Sequence, residues 1–250
     1  MDRDLNMHKQ TRRRLRLPGS AARLRVLCAI SSGIWLACST EPRQAIGNIT
    51  YIHGKVMLQS ITADNKVESE ATAGKKVFPE DQIRTGPDSA AELQIRQYGL
   101  LRVGENTVFK LSELDGGNRV EVRVDEGKAG LFINKLPPEQ ELIVTTPTII
   151  AGVRGTRLLV TNGTEQDSKV ALFDGAIELS QSSGTKVVLD KPGEVKLKAG
   201  EKLQADSVQP LSAETLAEMN ALESMDALQS PDQPKIERNE PRPIAPGTIE

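Results

Sequence analysis

The sequence predicts an all-β fold, an irregular β-sandwich or β-solenoid-like stack of short strands, followed by one C-terminal helix and a disordered tail. Three observations predict it. Gly, Pro, Asn and Asp interrupt the chain about every 8 to 12 residues. Between them, apolar and polar residues alternate with the period of two of a half-buried strand, most clearly at 90–96 and 120–124. No long stretch before Pro210 carries a helical apolar period.

The strands follow from this alternation and from the turn residues between them. The segment 115–118 predicts a hairpin turn, Gly127 is expected to turn the chain, and Asp174 with Gly175 predicts a second hairpin. In chain order, strands are predicted at 48–52, 55–59, 90–96, 100–103, 107–111, 120–124, 129–134, 141–145, 148–150, 156–161, 169–173, 176–180, 186–189, 195–197 and 202–205.

The segment 145–161, TTPTIIAGVRGTRLLVT, specifies a particular backbone path. Pro147 lacks an amide donor, so it is expected at the start or edge of a strand. Gly152 and Gly155 bracket Val153 and Arg154, which predicts a tight bend with close backbone approach or a positive φ. The segment should therefore form a strand, a corner and a second strand.

A helix is predicted at 212–229, because Ser212 can act as its N-cap and one apolar residue recurs at every third position. We expect this stripe to pack on the β domain, and binding to a partner or a coiled coil is the alternative. Residues 230–250 hold five prolines among polar residues and are predicted to be disordered. The stripe consists of Leu216, Met219, Leu222, Met225 and Leu228.

The N-terminus has the composition of a bacterial export signal. Six arginines between positions 12 and 25 precede an apolar run at 26–37, which is too short for an ordinary membrane-spanning helix of about 20 residues. Leu36, Ala37 and Cys38 resemble a lipobox, so we expect residues 1–37 to be a lipoprotein-type signal peptide and Cys38 to carry the lipid. A plain signal peptide, cut near Ala37, is the alternative.

Two further readings of this region stay open. The apolar run could remain uncleaved as a signal anchor, and the segment 11–17, TRRRLRL, has some likeness to a twin-arginine export signal. Met7 could be the true start. In the main interpretation, 38–44 is a lipidated linker, 45–208 is the β domain, and the protein is held in the cell envelope, in the periplasm or at the outer membrane.

Charge and composition exclude several kinds of partner. Residues 1–37 hold 8 of the 32 basic and 2 of the 34 acidic residues, which leaves 24 basic against 32 acidic and a net charge of −8. Phosphate binding needs a basic surface, so nucleic acid is not an expected partner. Aromatic residues make up 3% of the chain, so a stacking site for a small-molecule ligand is not expected either.

Residues that could carry catalysis or bind a metal are sparse beyond position 37. His53 is the one histidine there, and Cys38 is the one cysteine. The adjacent acidic pairs at 80–81 and 125–126 should point to opposite faces of a strand, so neither forms a carboxylate pair. We therefore expect no enzyme activity, no cofactor and no metal.

Arg154 is the residue most expected to have a specific role. Its guanidinium, placed at a corner, could pair bidentately with a buried carboxylate or with an acidic group of a partner protein. We favour the structural pairing from sequence alone, and the partner contact is the alternative.

The chain resembles FecR-domain proteins over most of its length beyond the N-terminal signal. The resemblance rests on the TP and GVRGT elements of segment 145–161 and on Asp81, Ile83, Thr85 and Gly86 ahead of the alternating strand. It implies an extracytoplasmic β domain that acts through protein contacts, with an envelope protein as partner. Regulators of this family pass signals from an outer-membrane receptor to a sigma factor, so the resemblance also implies, as an alternative, an anti-sigma-type transmembrane regulator.

Overall fold

Residues 43–62, 65–163 and 165–225 are described by the structure, a computed structural model of the chain. Within these residues the chain forms seventeen β-strands and then one α-helix. Strands β1 to β9 span Gly47–His53, Val56–Thr62, Asn65–Glu70, Lys76–Val77, Gln82–Thr85, Ala90–Ile95, Gly99–Val103, Val108–Leu114 and Arg119–Ile133. Strands β10 to β17 span Glu141–Thr145, Ile150–Val153, Arg157–Asn162, Ser168–Asp174, Ile177–Ser180, Lys186–Leu189, Gly193–Leu197 and Val208–Gln209, and helix α1 spans Ala213–Glu223.

The strands form two sheets that share β9. Sheet A has the order β4-β1-β6-β7-β9-β12-β13-β16-β17 and is antiparallel throughout. Sheet B has the order β3-β2-β5-β8-β9-β10-β11-β14-β15, in which the β9–β10 pair is parallel and the others are antiparallel. The predicted all-β fold with one C-terminal helix is confirmed.

The core lies between the two sheets, because the inward side chains of both belong to one apolar cluster. Strand β9 shows the pattern that produces it: Val120, Val122 and Val124 are fully buried, while Glu121 and Arg123 between them point outward. In this part of β9 the alternation thus separates a dry inner face from a solvated outer face. In β6 the polar residues Glu92 and Gln94 are buried as well.

Strand β9 crosses from one sheet to the other at Gly127. Its first half pairs with β8 in sheet B and its second half with β7 and β12 in sheet A. Gly127 has φ of +89°, and a Cβ added there would lie 2.5 Å from the Cα of Thr107. The sequence predicted two strands, 120–124 and 129–134, with a turn at Gly127. Instead, the glycine bends one continuous strand.

After β9, successive pairs of strands lie alternately in sheet B and sheet A. Strands β10 and β11 lie in sheet B, β12 and β13 in sheet A, β14 and β15 in sheet B, and β16 and β17 in sheet A. This order combines the two predicted alternatives: the layers are those of a sandwich, and the winding is that of a solenoid-like stack.

The hairpin predicted at Asp174 and Gly175 is wrong. Strand β13 ends at Asp174 in sheet A, and β14 begins at Ile177 in sheet B, so the chain changes sheets there. Gly175 has φ of +93°, and a Cβ at this position would lie 2.5 Å from the backbone oxygen of Gly155. Glycine allows a positive φ, and a tight turn and a corner between sheets share that requirement.

Helix α1 packs on the outer face of sheet A, as predicted. Met219, Leu222 and Met225 are buried there in a second apolar cluster, with side chains from β12 and β13. Ser212 is the N-cap, and its side chain accepts a hydrogen bond from the amide of Thr215. The helix ends at Glu223, inside the predicted range 212–229.

The apolar stripe of the helix differs from the prediction at its first member. Leu216 is 44% exposed, whereas Thr215 is fully buried. At 3.6 residues per turn, a spacing of seven returns to within about 20° of the same direction, so Thr215 lies above Leu222. Leu216 and Leu222 are six residues apart, so their directions differ by about 120°, which places Leu216 on the solvated side.

The strand predictions also need correction in two ways. The segment 202–205 is not a strand, since it leads into a 3₁₀ turn at Ala205–Ser207 and then the two-residue strand β17. Strands β3, β4, β5 and β17 were not among the predicted strands. For β3 the reason is that Asn65–Glu70 is polar and mostly exposed and has no apolar alternation.

Several predictions concern residues outside the described ranges. They are the signal peptide at 1–37, lipidation of Cys38, the last residues of the predicted helix and the tail at 230–250. Among the described residues, no helix has the length and apolar character to cross a membrane.

Candidate functional site

The segment 145–161 begins with a hairpin in sheet B. Thr145, the last residue of β10, pairs with Ile150, the first of β11. In the turn between them, the amide of Thr146 donates to the carbonyl of Ile149 over 2.9 Å, and the amide of Ile149 donates to Oγ1 of Thr146 over 3.0 Å. Pro147 lies in this turn, beyond the strand ends, where its missing amide donor leaves the ladder intact.

The predicted corner lies at residues 154–156, which we call the Arg154 corner. Strand β11 ends at Val153 in sheet B, and β12 begins at Arg157 in sheet A. Gly155 has φ of +90°, and a Cβ there would lie 2.8 Å from the Cα of Lys135. Gly152, which was expected to share this role, lies within β11 opposite Glu178.

Neighbouring backbone encloses the Arg154 corner. The amide of Ile133, at the end of β9, donates to the carbonyl of Thr156 over 2.8 Å. The side chain of Thr156 is buried, and the second corner at Gly175 packs directly against Gly155. A backbone held on two sides in this way gives residue 154 a fixed position between the sheets.

The side chain of Arg154 itself points to solvent. It is exposed, and among the described residues it makes no ion pair and no side-chain hydrogen bond. The buried carboxylate considered from sequence is therefore not found in the part of the chain that the structure describes. The neighbouring Arg157 has an intramolecular role instead: it pairs with Glu223 over 3.2 Å and lies 5.9 Å from the ring centre of Phe173.

A buried polar network, which the sequence did not reveal, holds the C-terminal end of α1. Arg102 pairs with Glu92 over 2.8 Å, with side-chain exposures of 6% and 1%. Oγ1 of Thr50 donates to Glu92 over 2.7 Å, and Nη1 of Arg102 donates to the carbonyl oxygens of Leu222 and Glu223 over 3.4 and 3.0 Å. A cation at a helix C-terminus complements the helix dipole.

Acidic and basic groups fix the rest of the helix. Glu194 of β16 accepts a hydrogen bond from the amide of Ser212 over 3.2 Å. Burial alone would raise the pKa of Glu194, but hydrogen bonds from Thr215 and Ser212 and the nearby Lys196 lower the pKa overall. These contacts make α1 part of the domain, and the stripe members Met219, Leu222 and Met225 pack on the β domain.

The candidate catalytic groups from the sequence remain apart. His53 is exposed at the end of β1. Asp81 is buried and accepts the amide of Phe78 over 2.9 Å, while its neighbour Glu80 pairs with Lys110 over 2.8 Å. Within the described ranges, no three His, Cys, Asp or Glu side chains come close enough to hold a metal ion.

One family model and two crystal structures are similar to parts of this chain. The family model described as FecR protein matches residues 81–178, a range that includes the Arg154 corner. Two crystal structures of a candidate anti-sigma factor from Parabacteroides distasonis, at 1.65 and 2.50 Å resolution, are each similar at 12% identity with a TM-score of 0.47. Each alignment covers 54% of this chain and 62% of that chain, so the chain spans less than two thirds of those proteins. No curated protein matches the sequence.

Proposed function

We propose that this chain, whose residues 81–178 match the FecR family model, is a noncatalytic binding or scaffolding module of the bacterial cell envelope, contributing to signal transduction through protein contacts. The observation that carries the proposal is the Arg154 corner, where an exposed guanidinium stands on a backbone enclosed by two neighbouring loops. An exposed arginine on a fixed backbone, without an intramolecular acidic partner among the described residues, is suited to a carboxylate of another protein.

The physical argument concerns conformational entropy. A side chain on a mobile loop loses backbone freedom on binding, at about 1–2 kcal/mol for each residue that becomes ordered. The corner is already ordered by Gly155 against Lys135 and by the bond between Ile133 and Thr156. An acidic partner would therefore meet a donor whose backbone is already ordered. Arginine is also among the residues enriched at interface hot spots.

The experiment compares two exposed arginines of the same domain. Arg84 of β5 also points to solvent and makes no ion pair among the described residues, so it is a matched control. Envelope complexes are crosslinked in intact cells and isolated with the wild-type chain, with Arg154→Glu and with Arg84→Glu. We expect a discrete crosslinked species that Arg154→Glu loses and Arg84→Glu retains. Equal loss in both variants, or in neither, would contradict a role for the corner.

We further propose that the protein is tethered by a lipid on Cys38, which would leave the β domain outside the cytoplasm. The support is the sequence: a basic segment, an apolar run of about a dozen residues and a lipobox-like Leu36-Ala37-Cys38. Several acyl chains would give stable attachment, since each buried methylene adds about 0.8 kcal/mol. Labelling with palmitate should mark the wild type and the Cys28→Ser control but not Cys38→Ser.

The alternative is a transmembrane regulator of the anti-sigma type that keeps its N-terminal apolar run as a signal anchor. The mass of the N-terminal peptide separates the two readings. A chain that begins at a modified Cys38 supports the tethered module, whereas an unlabelled chain that retains Met1 supports the anchor.

The absence of catalysis is part of the proposal and has its own test. The most direct enzymatic alternative is a cell-wall enzyme, because the domain is expected outside the cytoplasm. Purified protein is incubated with peptidoglycan, and soluble fragments are measured by mass spectrometry. We expect no fragments above a heat-denatured control, and fragments released only by the folded protein would overturn this part of the proposal.

A further inference from the structure

Strand β15 leaves one edge of sheet B open. Lys186–Leu189 pairs with β14 on one side, and no described strand pairs with it on the other. Val188 is 64% exposed, the highest fraction among the exposed large apolar residues in the described ranges. An open edge with an exposed apolar residue is a template for strand addition, which proteins commonly block with charges or very short strands.

The other three sheet edges carry such protection. The edge strands of sheet A, β4 and β17, have two residues each. Strand β3, at the other edge of sheet B, is longer but presents Lys66, Glu68 and Glu70. Strand β15 has a single charged residue, Lys186, and the next charge, Asp190, follows directly after its end. These two charges have opposite signs.

The hydrogen-bond pattern shows which backbone groups face the open side. The amide of Gln181 donates to the carbonyl of Thr185 over 3.3 Å, in the same register as the β14–β15 pairs. Hydrogen-bonded and non-hydrogen-bonded pairs alternate along an antiparallel ladder. Val187 and Leu189 therefore direct their backbone groups toward β14, while Lys186 and Val188 direct theirs outward. Continuing this alternation gives Asp190 the same outward direction.

We propose that two copies of this chain pair through β15, antiparallel about a two-fold axis at Val188. In this register Val188 lies opposite Val188 of the partner subunit, Val187 lies opposite Leu189 of the partner subunit, and Lys186 lies opposite Asp190 of the partner subunit. The outward backbone groups of Lys186, Val188 and Asp190 then meet their equivalents in hydrogen-bonded pairs. Sheet B continues from one molecule into the other.

Charge complementarity selects this register and a second copy as the occupant. A two-fold axis at Lys186 would place two lysines opposite each other, and an axis at Val187 would place Lys186 opposite an apolar residue. An axis between Val187 and Val188 would face outward groups with inward ones, so the ladder could not form. Only the axis at Val188 matches Lys186 with Asp190, and symmetry makes this match twice. Lys186 already pairs with Glu178 of β14 over 2.7 Å, so Asp190 of the partner subunit would be a second carboxylate beside the same ammonium group. Pro192, which lacks an amide donor, ends the pairing at the next outward position.

The interface is small, so the dimer should be weak and depend on concentration. About five paired residues per chain bury less than the roughly 1,000 Å² expected of a stable interface. The inference does not depend on the proposed function, since it uses only the edge strand and its charges.

Cysteine crosslinking tests the pairing and its register directly. Residues in a hydrogen-bonded antiparallel pair have Cα atoms about 5.5 Å apart, within the range of a disulfide. In the full chain carrying Cys28→Ala and Cys38→Ser, we expect Val188→Cys to form a disulfide-linked dimer on mild oxidation. A mixture of Lys186→Cys and Asp190→Cys chains should form the mixed dimer. Val67→Cys, exposed on the other edge of sheet B, is the control for random collision.

Two outcomes would overturn the proposal: Val188→Cys dimers no more abundant than those of the Val67→Cys control, or Lys186→Cys alone crosslinking as well as the mixture. A second measurement, sedimentation of the full chain, needs no cysteine. Lys186→Asp should weaken dimerisation about tenfold, because two attractions become two repulsions. Adding Asp190→Lys should restore it, and a double variant as weak as the single one would contradict the register. Lys186 and Asp190 are both exposed. Circular dichroism tests whether each variant is folded.

Discussion

Replacing Gly127 with alanine tests the bend that joins the two sheets. Gly127 has φ of +89°, and an added Cβ would lie 2.4 Å from Oγ1 of Thr107, 2.5 Å from its Cα and 2.7 Å from the carbonyl oxygen of Asn106. Gly184 is the matched control, because its φ is +88° and an added Cβ meets no atom within 4 Å. Both substitutions strain the backbone in the same way, and only the first one forces close contacts.

The magnitude separates into two terms. A non-glycine residue in the left-handed region costs about 1–2 kcal/mol, and this cost applies to both variants. Overpacking against backbone that cannot move freely adds about 1–3 kcal/mol, and this applies to Gly127→Ala alone. We therefore expect the free energy of unfolding to be lower in Gly127→Ala than in Gly184→Ala by about 1–3 kcal/mol. In a domain of this size, each kcal/mol corresponds to about 2–4 °C in the unfolding midpoint.

Urea unfolding of the full chain, followed by circular dichroism, measures both variants against the wild type. The comparison is valid if the slope of free energy against urea is unchanged, because a changed slope means a different denatured or native state. Equal losses in the two variants would refute the reasoning, since the close approach of β9 to Thr107 would then make no contribution.

Three further predictions concern the docking of α1. Arg102→Met removes the ion pair with Glu92 and the bonds to the helix carbonyls, so we expect a loss of about 3 kcal/mol in urea unfolding, partly recovered by adding Glu92→Leu. The pKa of Glu194 is lowered in the folded state, so its contribution to folding stability is present above its ordinary pKa of 4.5 and is lost as the pH falls through the folded pKa. The stability difference between wild type and Glu194→Gln should therefore shrink below about pH 4.5. A difference that stays constant from about pH 7 to pH 3 would contradict this. Leu222→Ala should cost about 2–5 kcal/mol and the exposed Leu216→Ala less than about 0.5 kcal/mol, and equal midpoints would contradict the observed stripe.

Most strands with one buried apolar face were predictable, although β5, in which Ile83 is buried, was not predicted. Ala91, Leu93 and Ile95 alternate in the sequence and line the core in the structure. The alternation is a local consequence of burial on one side, so a single sequence carries it. Strand β3 has no buried face, and its polar sequence gave no comparable pattern.

The sheet to which each strand belongs was not predictable. The residue types at Gly127, Gly155 and Gly175 indicate a turn or a positive φ, and all three do have a positive φ. In each case the chain changes from one sheet to the other rather than forming a hairpin. The positive φ is a local property, whereas the choice of sheet depends on strands distant in sequence.

The sequence predicted where the Arg154 corner lies, but it did not predict the surroundings of the Arg154 side chain. Segment 145–161 predicted the corner correctly, yet the expected buried partner for Arg154 does not occur among the described residues. Arg102 and Arg157 are instead two arginines that contact α1, which follows more than 60 residues later in the chain. Contacts of such long range leave no periodic signal in one sequence.

The most direct test of the central claim places a photo-crosslinking amino acid at position 154, and at 84 as the control, and irradiates intact cells. If the Arg154 corner binds an envelope protein, position 154 should give one discrete adduct, identified by mass spectrometry, that position 84 does not give. The same adducts from both positions, or no adduct from position 154 in cells where the protein is folded and exported, would contradict the account.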